Sequence, residues 1–402
     1  MKPIKPMPMG EFVVFIALMF ATVAYSTDSM LPLLVEMGQS LAPETPQSAQ
    51  LVVTGFVLGL GSGTLVIGPI SDALGRKRLI LAGIGLYMIA AVFAATSDSM
   101  GALLAARFVQ GIGASAPRVL SQAVVRDLYS GRQMARIMSF AMAIFVLVPA
   151  IAPLMGATLG GLFGWRAIFW SFLVFGSISG GWLLFRQPET LPPKMRRPLE
   201  IRPIVTAFRE VFSHKQVMIY VIALTFSFAT MFIWLSSIAQ IFDDVYARSD
   251  EFPKWFALCA LLSAPGSLVN AQLVLKLGMR RLIVTAITGQ IGLVFATIVI
   301  YASTGGLPFW AFFTFMVGHF FTVGLIFGNL NALALEPLGH IAGTASSVMS
   351  GVSTVGSALI AAPLASLYNG TPLPLMLAVA ACGVFAMTAM IVARRWNTSD
   401  LG

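Results

Sequence analysis

Apolar residues run down this chain in long blocks, not in alternation. From Phe12 onward the blocks recur with short polar knots between them, and crossing a bilayer as a helix takes about 20 apolar residues. The pattern predicts twelve spans, at 12–35, 49–70, 79–97, 101–125, 133–162, 167–185, 217–242, 254–275, 281–302, 307–333, 343–367 and 373–393. A membrane barrel would show short alternating segments instead. One polar segment is long: 186–215, "RQPETLPPKMRRPLEIRPIVTAFREVFSHK", Pro-rich and basic. It separates six spans from six and reads as a linker carrying one interfacial helix. The expected fold class is an all-α polytopic membrane protein, with bundles at 1–185 and 216–402 joined by the linker.

Composition sharpens this reading. The chain is 57% hydrophobic and 10% charged, with 30 Phe in 402 residues, more apolar surface than a soluble core absorbs. The net charge of +9 would suit nucleic acid, but the bases sit in short loops. With loops placed alternately, twenty Lys and Arg fall on one side and three (Arg166, Arg248 and Lys254) on the other. The positive-inside rule then puts both termini and the linker in the cytoplasm and removes the need for a nucleic-acid partner. Lys2 and Lys5 before Phe12 imitate a secretory signal. The apolar run continues to about Val35 without a small-residue cleavage site, so it is expected to stay as the first span. Cys259 and Cys382 form no disulfide framework and no metal-ligand spacing. No cofactor or metal is expected.

The two halves repeat. "TLVIGPISDALGRKRLIL" (64–81) lies over "SLVNAQLVLKLGMRRLIV" (267–284) at an offset of 203, and Gly75 and Arg78 meet identical residues. Two pseudo-symmetric six-helix halves with a site between them at the midplane is a transporter architecture. The first copy carries a knot of charge: Gly68, Asp72, Gly75, Arg76, Lys77 and Arg78. The bases alone read as a topology anchor, which leaves Asp72 and the glycine spacing unexplained.

These residues resemble the loop signature between the second and third helices of the major facilitator superfamily, with Ala73 where a base is common. "RFVQGIGAS" (107–115) matches a fourth-span signature. "PAIAPLMGATLGG" (149–161) matches the fifth-span antiporter signature through Pro149, Pro153, Gly156, Gly160 and Gly161, with Ala152 where Gly usually precedes the Pro. "YSTDSMLP" (25–32), "VVRDLY" (124–129), "WRAIF" (165–169), "QPETL" (187–191) and "AGTASS" (342–347) are similar to the drug:proton antiporter branch that contains the bicyclomycin and chloramphenicol exporters. The resemblance implies twelve helices in two halves and a monomer in the bacterial inner membrane. It implies alternating access that exports small drug-like molecules against proton entry. In that scheme Gly68, Asp72, Gly75, Arg76 and Arg78 latch the inner gate.

The deep charges stand without the resemblance. Of sixteen carboxylates only Asp28 lies well inside a span, where a charge costs roughly 3 kcal/mol or more, so Asp28 is the expected proton carrier. Arg107 and Arg118 share one face of the fourth span with Gln110, Gly111 and Ala114. The depth of Arg107 matches that of Asp28, which makes an Asp28–Arg107 interaction, direct or through water, the preferred pairing. The bland alternative is an ion pair that only orients two helices. Arg118 has no partner in the sequence at its depth. His319 reads as a hydrogen-bonded interior residue.

Related antiporters can carry a second acid earlier on the first span, where this chain has Phe20 and Ala21. That disfavours dications and leaves neutral or zwitterionic substrates. Further cavity walls are expected from Tyr25, Met142, Phe145, Phe228, Met231, Trp234 and Asn329, since aromatics and Met tolerate varied ligands. A metabolite or sugar transporter on the same fold is the main competitor. An enzyme would need a catalytic constellation that one deep Asp and one deep His do not supply, and no Walker motif points to ATP.

Overall fold

The computed structural model describes residues 7–129, 133–134, 137–138, 140–141, 144, 147–196 and 201–395. Regular structure among these residues is helical throughout. The helices used below are α1 Met9–Asp28, α2 Leu34–Leu41, α3 Leu51–Leu74, α4 Arg76–Ala95, α5 Met100–Leu128, α6 Val148–Phe163 and α7 Arg166–Arg186. They continue with α8 Ile201–Ser213, α9 Lys215–Gln240, α10 Phe252–Ser263, α11 Pro265–Leu277, α12 Met279–Thr304, α13 Phe309–Leu335, α14 Ala342–Ala365 and α15 Leu373–Arg395. Ten helical stretches among the described residues are long and apolar enough to cross a membrane. The chain is a multi-pass membrane protein. The 29-residue α5 falls outside that group because Arg107, Gln110 and Arg118 dilute its hydropathy, and α6 is a shorter apolar helix.

The chain divides into two compact units, Met1–Ile204 and Val205–Gly402. In the first, Phe12, Ile16, Ile84 and Leu120 are part of a buried core. Its first span is broken. α1 ends at Asp28, and a short 3-10 turn (Leu31–Leu33) leads into α2. Pro32 explains the break: it has no N–H for the Asp28 carbonyl four residues earlier, and its ring crowds that carbonyl. The start of α1 is tied to the end of α7 by a two-bond ion pair, with Arg186 Nε and Nη2 donating to the Glu11 carboxylate at 2.7 and 2.6 Å. α3 and α5 cross closely enough that a Cβ at Gly111 would overlap the Phe56 carbonyl oxygen.

In the second unit Leu224, Ile287, Leu330, Met349 and Met390 belong to the buried core. The sequence repeat reappears as backbone geometry. Gly75 ends α3 and opens α4 at φ +101°, ψ 152°, and Gly278 does the same between α11 and α12 at φ +77°, ψ 154°. Only glycine adopts that region without strain, which costs other residues roughly 1–3 kcal/mol. The two positions differ in their surroundings. A Cβ at Gly75 would run into Glu189 Oε2, while one at Gly278 meets nothing within 4 Å. Gly75→Ala is therefore expected to lower the melting temperature of the detergent-purified protein clearly more than Gly278→Ala. Equal shifts would mean that the Glu189 contact adds nothing to the backbone strain.

Candidate functional site

The break in the first span places Asp28 at a helix C-terminus, almost wholly buried at 6% exposure. Its Oδ1 accepts a hydrogen bond from Thr27 Oγ1 at 2.9 Å. A helix end also leaves its last carbonyls without partners inside the helix, and Arg107 reaches one of them. Arg107, fully enclosed on α5, donates from Nη2 to Ser26 O at 3.0 Å, from Nη1 to Gln110 Oε1 at 2.5 Å and from Nε to Val52 O at 3.4 Å. Its guanidinium lies over the Phe56 ring, 4.3 Å from the centroid. The cation thus faces the negative end of the α1 dipole and gathers α1, α3 and α5 around one side chain. Of the expected Asp28–Arg107 interaction, direct or through water, the direct form is not made in this structure. The fork is taken up by two backbone carbonyls and an amide, while Asp28 bonds to its neighbour.

Hydroxyls surround this pair. Ser26 Oγ gives its proton to Thr22 O at 2.5 Å, so the 2.7 Å bond to Tyr87 is donated by the Tyr87 hydroxyl. Tyr25 bonds to Ser171 at 2.8 Å and stacks on Phe175 with ring centroids 5.1 Å apart. From the other side α6 presses on the broken segment. A Cβ at Gly156 would overlap the carbonyl oxygen of Ser29, and one at Gly160 would overlap Leu33. Two glycines of the fifth-span signature therefore seat α6 against the kink that carries Asp28. Gly161 faces open space, and Pro149 and Pro153 lie on α6.

A second polar cluster forms at the α3–α4 turn. Arg76 is buried there and pairs through Nη1 with Asp72 Oδ1 at 2.6 Å and through Nε with Asp127 Oδ2 at 3.2 Å. Ser71 Oγ also contacts Nη1. The backbone N–H of Arg76, at the start of α4, donates to Glu189 Oε1 at 2.9 Å, an anion at the positive end of a helix. Thr190 Oγ1 donates to Asp127 Oδ2 at 3.0 Å. Three motifs quoted separately from the sequence thus form one structure: the charged turn, "VVRDLY" and "QPETL". Asp127 and Glu189 were not singled out. The available signal was two acids standing near the most basic turn of the half. Arg78 is exposed. Ser71 Oγ, besides meeting Arg76, donates to Gly68 O at 3.0 Å.

The remaining expected residues are spread apart. Arg118 is half-buried, and its guanidinium has no hydrogen-bond or ion-pair partner among the described residues. Met142 and Phe145 lie outside the described residues. In the second unit Trp234 is fully enclosed against Phe312, Phe315 and His319. Phe228 packs edge-on to Phe327 at 4.3 Å, and Met231 is half-buried. Asn329 is buried and donates to Asn270 Oδ1 at 2.6 Å. His319 is hydrogen-bonded in the interior, its Nδ1 lying 2.8 Å from Gln290 Nε2.

No group of three or more His, Cys, Asp or Glu that could hold a metal ion occurs among the described residues. The arrangement offers one protonatable carboxylate at a helix break and a fixed cation one helix away.

Comparison with known proteins agrees with this picture. The family model described as Major Facilitator Superfamily matches residues 13–361. The chain is 30% identical over 395 residues to a bicyclomycin resistance protein homolog from Haemophilus influenzae, covering 97% of this chain and 98% of that one. It is 25% identical to multidrug resistance protein D of Escherichia coli, covering 78% of each. A D-xylose-proton symporter crystal structure superposes with a TM-score of 0.74 at 14% identity, covering 95% of this chain and 97% of that chain, a likeness of fold.

Proposed function

We propose, from the premise that this chain belongs to the major facilitator superfamily and is a transporter and not an enzyme, that it exports small drug-like molecules in exchange for protons. One observation carries the reading. The single acid deep in a span stands at a helix break, and discontinuous helices are where transporters build their sites. Proton and substrate would compete for Asp28, and such competition between two ligands is the thermodynamic content of antiport. Arg107 would hold the broken end of α1 in place through the cycle, with Tyr25, Gln110 and Arg118 as further substrate contacts from this half. Phe228, Met231 and Asn329 of the second unit and Met142 and Phe145 of the fifth span are the further expected substrate contacts, whereas Trp234, enclosed within the second unit, is not available to one. Asp72, Arg76 and their neighbours would act as the inner gate latch. The names of the relatives, for bicyclomycin and multidrug resistance, support export over uptake.

The experiment is a susceptibility profile of cells overproducing the protein, over a panel of neutral, zwitterionic and cationic antibiotics. Raised resistance to neutral or zwitterionic members is expected. An unchanged profile together with proton-driven sugar uptake would replace export by symport.

The orientation follows from the twenty-to-three basic asymmetry, with the inner membrane of a bacterium as the site and both termini inside. A cysteine introduced at Pro192 is expected to resist impermeant thiol reagents in intact cells, and one at Ser249 to react. The reverse labelling would invert the topology.

A further inference from the structure

We infer that a crevice between α1, α6 and α7 binds an uncharged, drug-sized, largely apolar molecule carrying a hydrogen-bond donor, which enters from the hydrocarbon of the bilayer. The crevice encloses about 890 Å³, within the roughly 300–1,000 Å³ typical of small-molecule sites. Small side chains create it: Ala17 and Ala21 one turn apart on α1, Ala152 on α6 and Ala167 on α7. Its rim includes Trp170, Val174 and Ile178, spaced four residues apart along one face of α7 and exposed. An exposed apolar stripe on a membrane-spanning helix faces lipid, so the opening is reached from the bilayer.

The floor decides the chemistry of the occupant. Ser171 Oγ has one proton and directs it to Ile168 O at 2.6 Å. The 2.8 Å bond between Tyr25 and Ser171 is then donated by the phenol. The phenolic oxygen keeps its lone pairs, an acceptor that stands beside the Ser171 hydroxyl in a space lined elsewhere by apolar side chains. Phe175, stacked on the Tyr25 ring, and Phe172, edge-on at 5.4 Å, hold it in place. A lipid tail brings no donor to this oxygen. A hydroxyl-, amide- or amine-bearing lipophile does. Tyr25 also lies three residues before Asp28, about 60° around the same helix, so an occupant rests against the turn that leads to the acid. Only this last connection, from binding to transport, rests on the export reading.

The test is binding of N-phenyl-1-naphthylamine, which is uncharged and has one N–H, to the full chain in lipid nanodiscs. Binding is read as energy transfer from tryptophan to the probe, with lipid-only discs as the blank. Ala21→Phe fills the crevice and is expected to weaken binding at least about tenfold, as the site loses its volume. Tyr25→Phe removes the acceptor and is expected to weaken binding roughly fivefold, the worth of one hydrogen bond. It should leave binding of 1-phenylnaphthalene, which lacks the N–H, unchanged.

If Ala21→Phe does not fold, Ala167→Leu narrows the mouth instead and is expected to weaken binding in the same direction. Parent-like affinity in the folded crevice variants would overturn the site. So would parent discs that bind no more probe than the blank, because lipid tails would then fill the space. The resistance profile of the same variants keeps the two readings apart. Export by the parent with crevice-insensitive probe binding removes this site alone. Crevice-sensitive binding in a chain that confers no resistance removes the export reading alone.

Discussion

Asp28→Asn is expected to reduce pH-driven export to the level of cells lacking the protein, while the variant still folds and reaches the membrane. Asn matches the neutral acid in size and still accepts from Thr27 Oγ1, which donates to Asp28 at 2.9 Å. The break itself comes from Pro32 and the backbone, so the helix end survives the change. What disappears is the cycle between two protonation states. A transporter whose substrate and proton share a site then has nothing to exchange. The measurement is proton release when substrate is added to detergent-purified protein near neutral pH, alongside efflux in vesicles with an imposed pH gradient. The parent should release protons and Asp28→Asn should not. Proton release and efflux at parent levels in Asp28→Asn would make Asp28 a structural residue.

The second large effect is expected at Arg107, and it differs in kind. Arg107→Ala strands Ser26 O and Gln110 Oε1 and removes the contact to Val52 O, a carbonyl inside α3 that keeps its helical amide donor. Each buried polar group left unmet costs about 1–3 kcal/mol, so with two such groups a loss of about 2 kcal/mol or more in stability is expected together with loss of transport. Arg107→Lys keeps the charge but not the fork, and a single ammonium cannot meet acceptors on three helices from one point. It should fall between parent and Arg107→Ala in both thermal stability and export. Asp28→Asn, by contrast, should move export alone. An Arg107→Ala protein that melts like the parent would show that the carbonyls find other donors and that α1 needs no such anchor.

The contrast between these residues shows what the sequence could and could not say. The spacing of hydrophobic blocks located the spans because the bilayer imposes their length. The repeat at offset 203 was legible because its glycines answer to backbone geometry: Gly75 and Gly278 share a region that other residues avoid. Depth along the membrane was legible too, and it brought Asp28 and Arg107 to one level. The turn of each helix about its own axis was not. Helices that are apolar all round mark no inner face, so Trp234, expected on a cavity wall, is packed inside the second unit. The fork of Arg107 went to carbonyls that carry no sequence signal. The α1 break was readable in principle, from a proline four residues after the acid. Asp127 and Glu189 were missed for a further reason. Their partner Arg76 lies 51 and 113 residues away, and a lone acid in a loop looks the same whether it is solvated or paired.

Those separations have a consequence for how the protein is made. Arg76 leaves the ribosome 113 residues ahead of Glu189, a delay of roughly 6–23 seconds at about 5–20 residues per second. Until then the start of α4 lacks its cap, and until Asp127 emerges, 51 residues after Arg76, the basic turn carries its charge unpaired except by Asp72. On the orientation proposed, that bare charge is what holds the turn in the cytoplasm while the following spans insert. When Asp127 and then Glu189 arrive, the same residues become the clasp of the finished half. On that orientation, topology signal and clasp are two stages in the life of one cluster, separated by time and not by position.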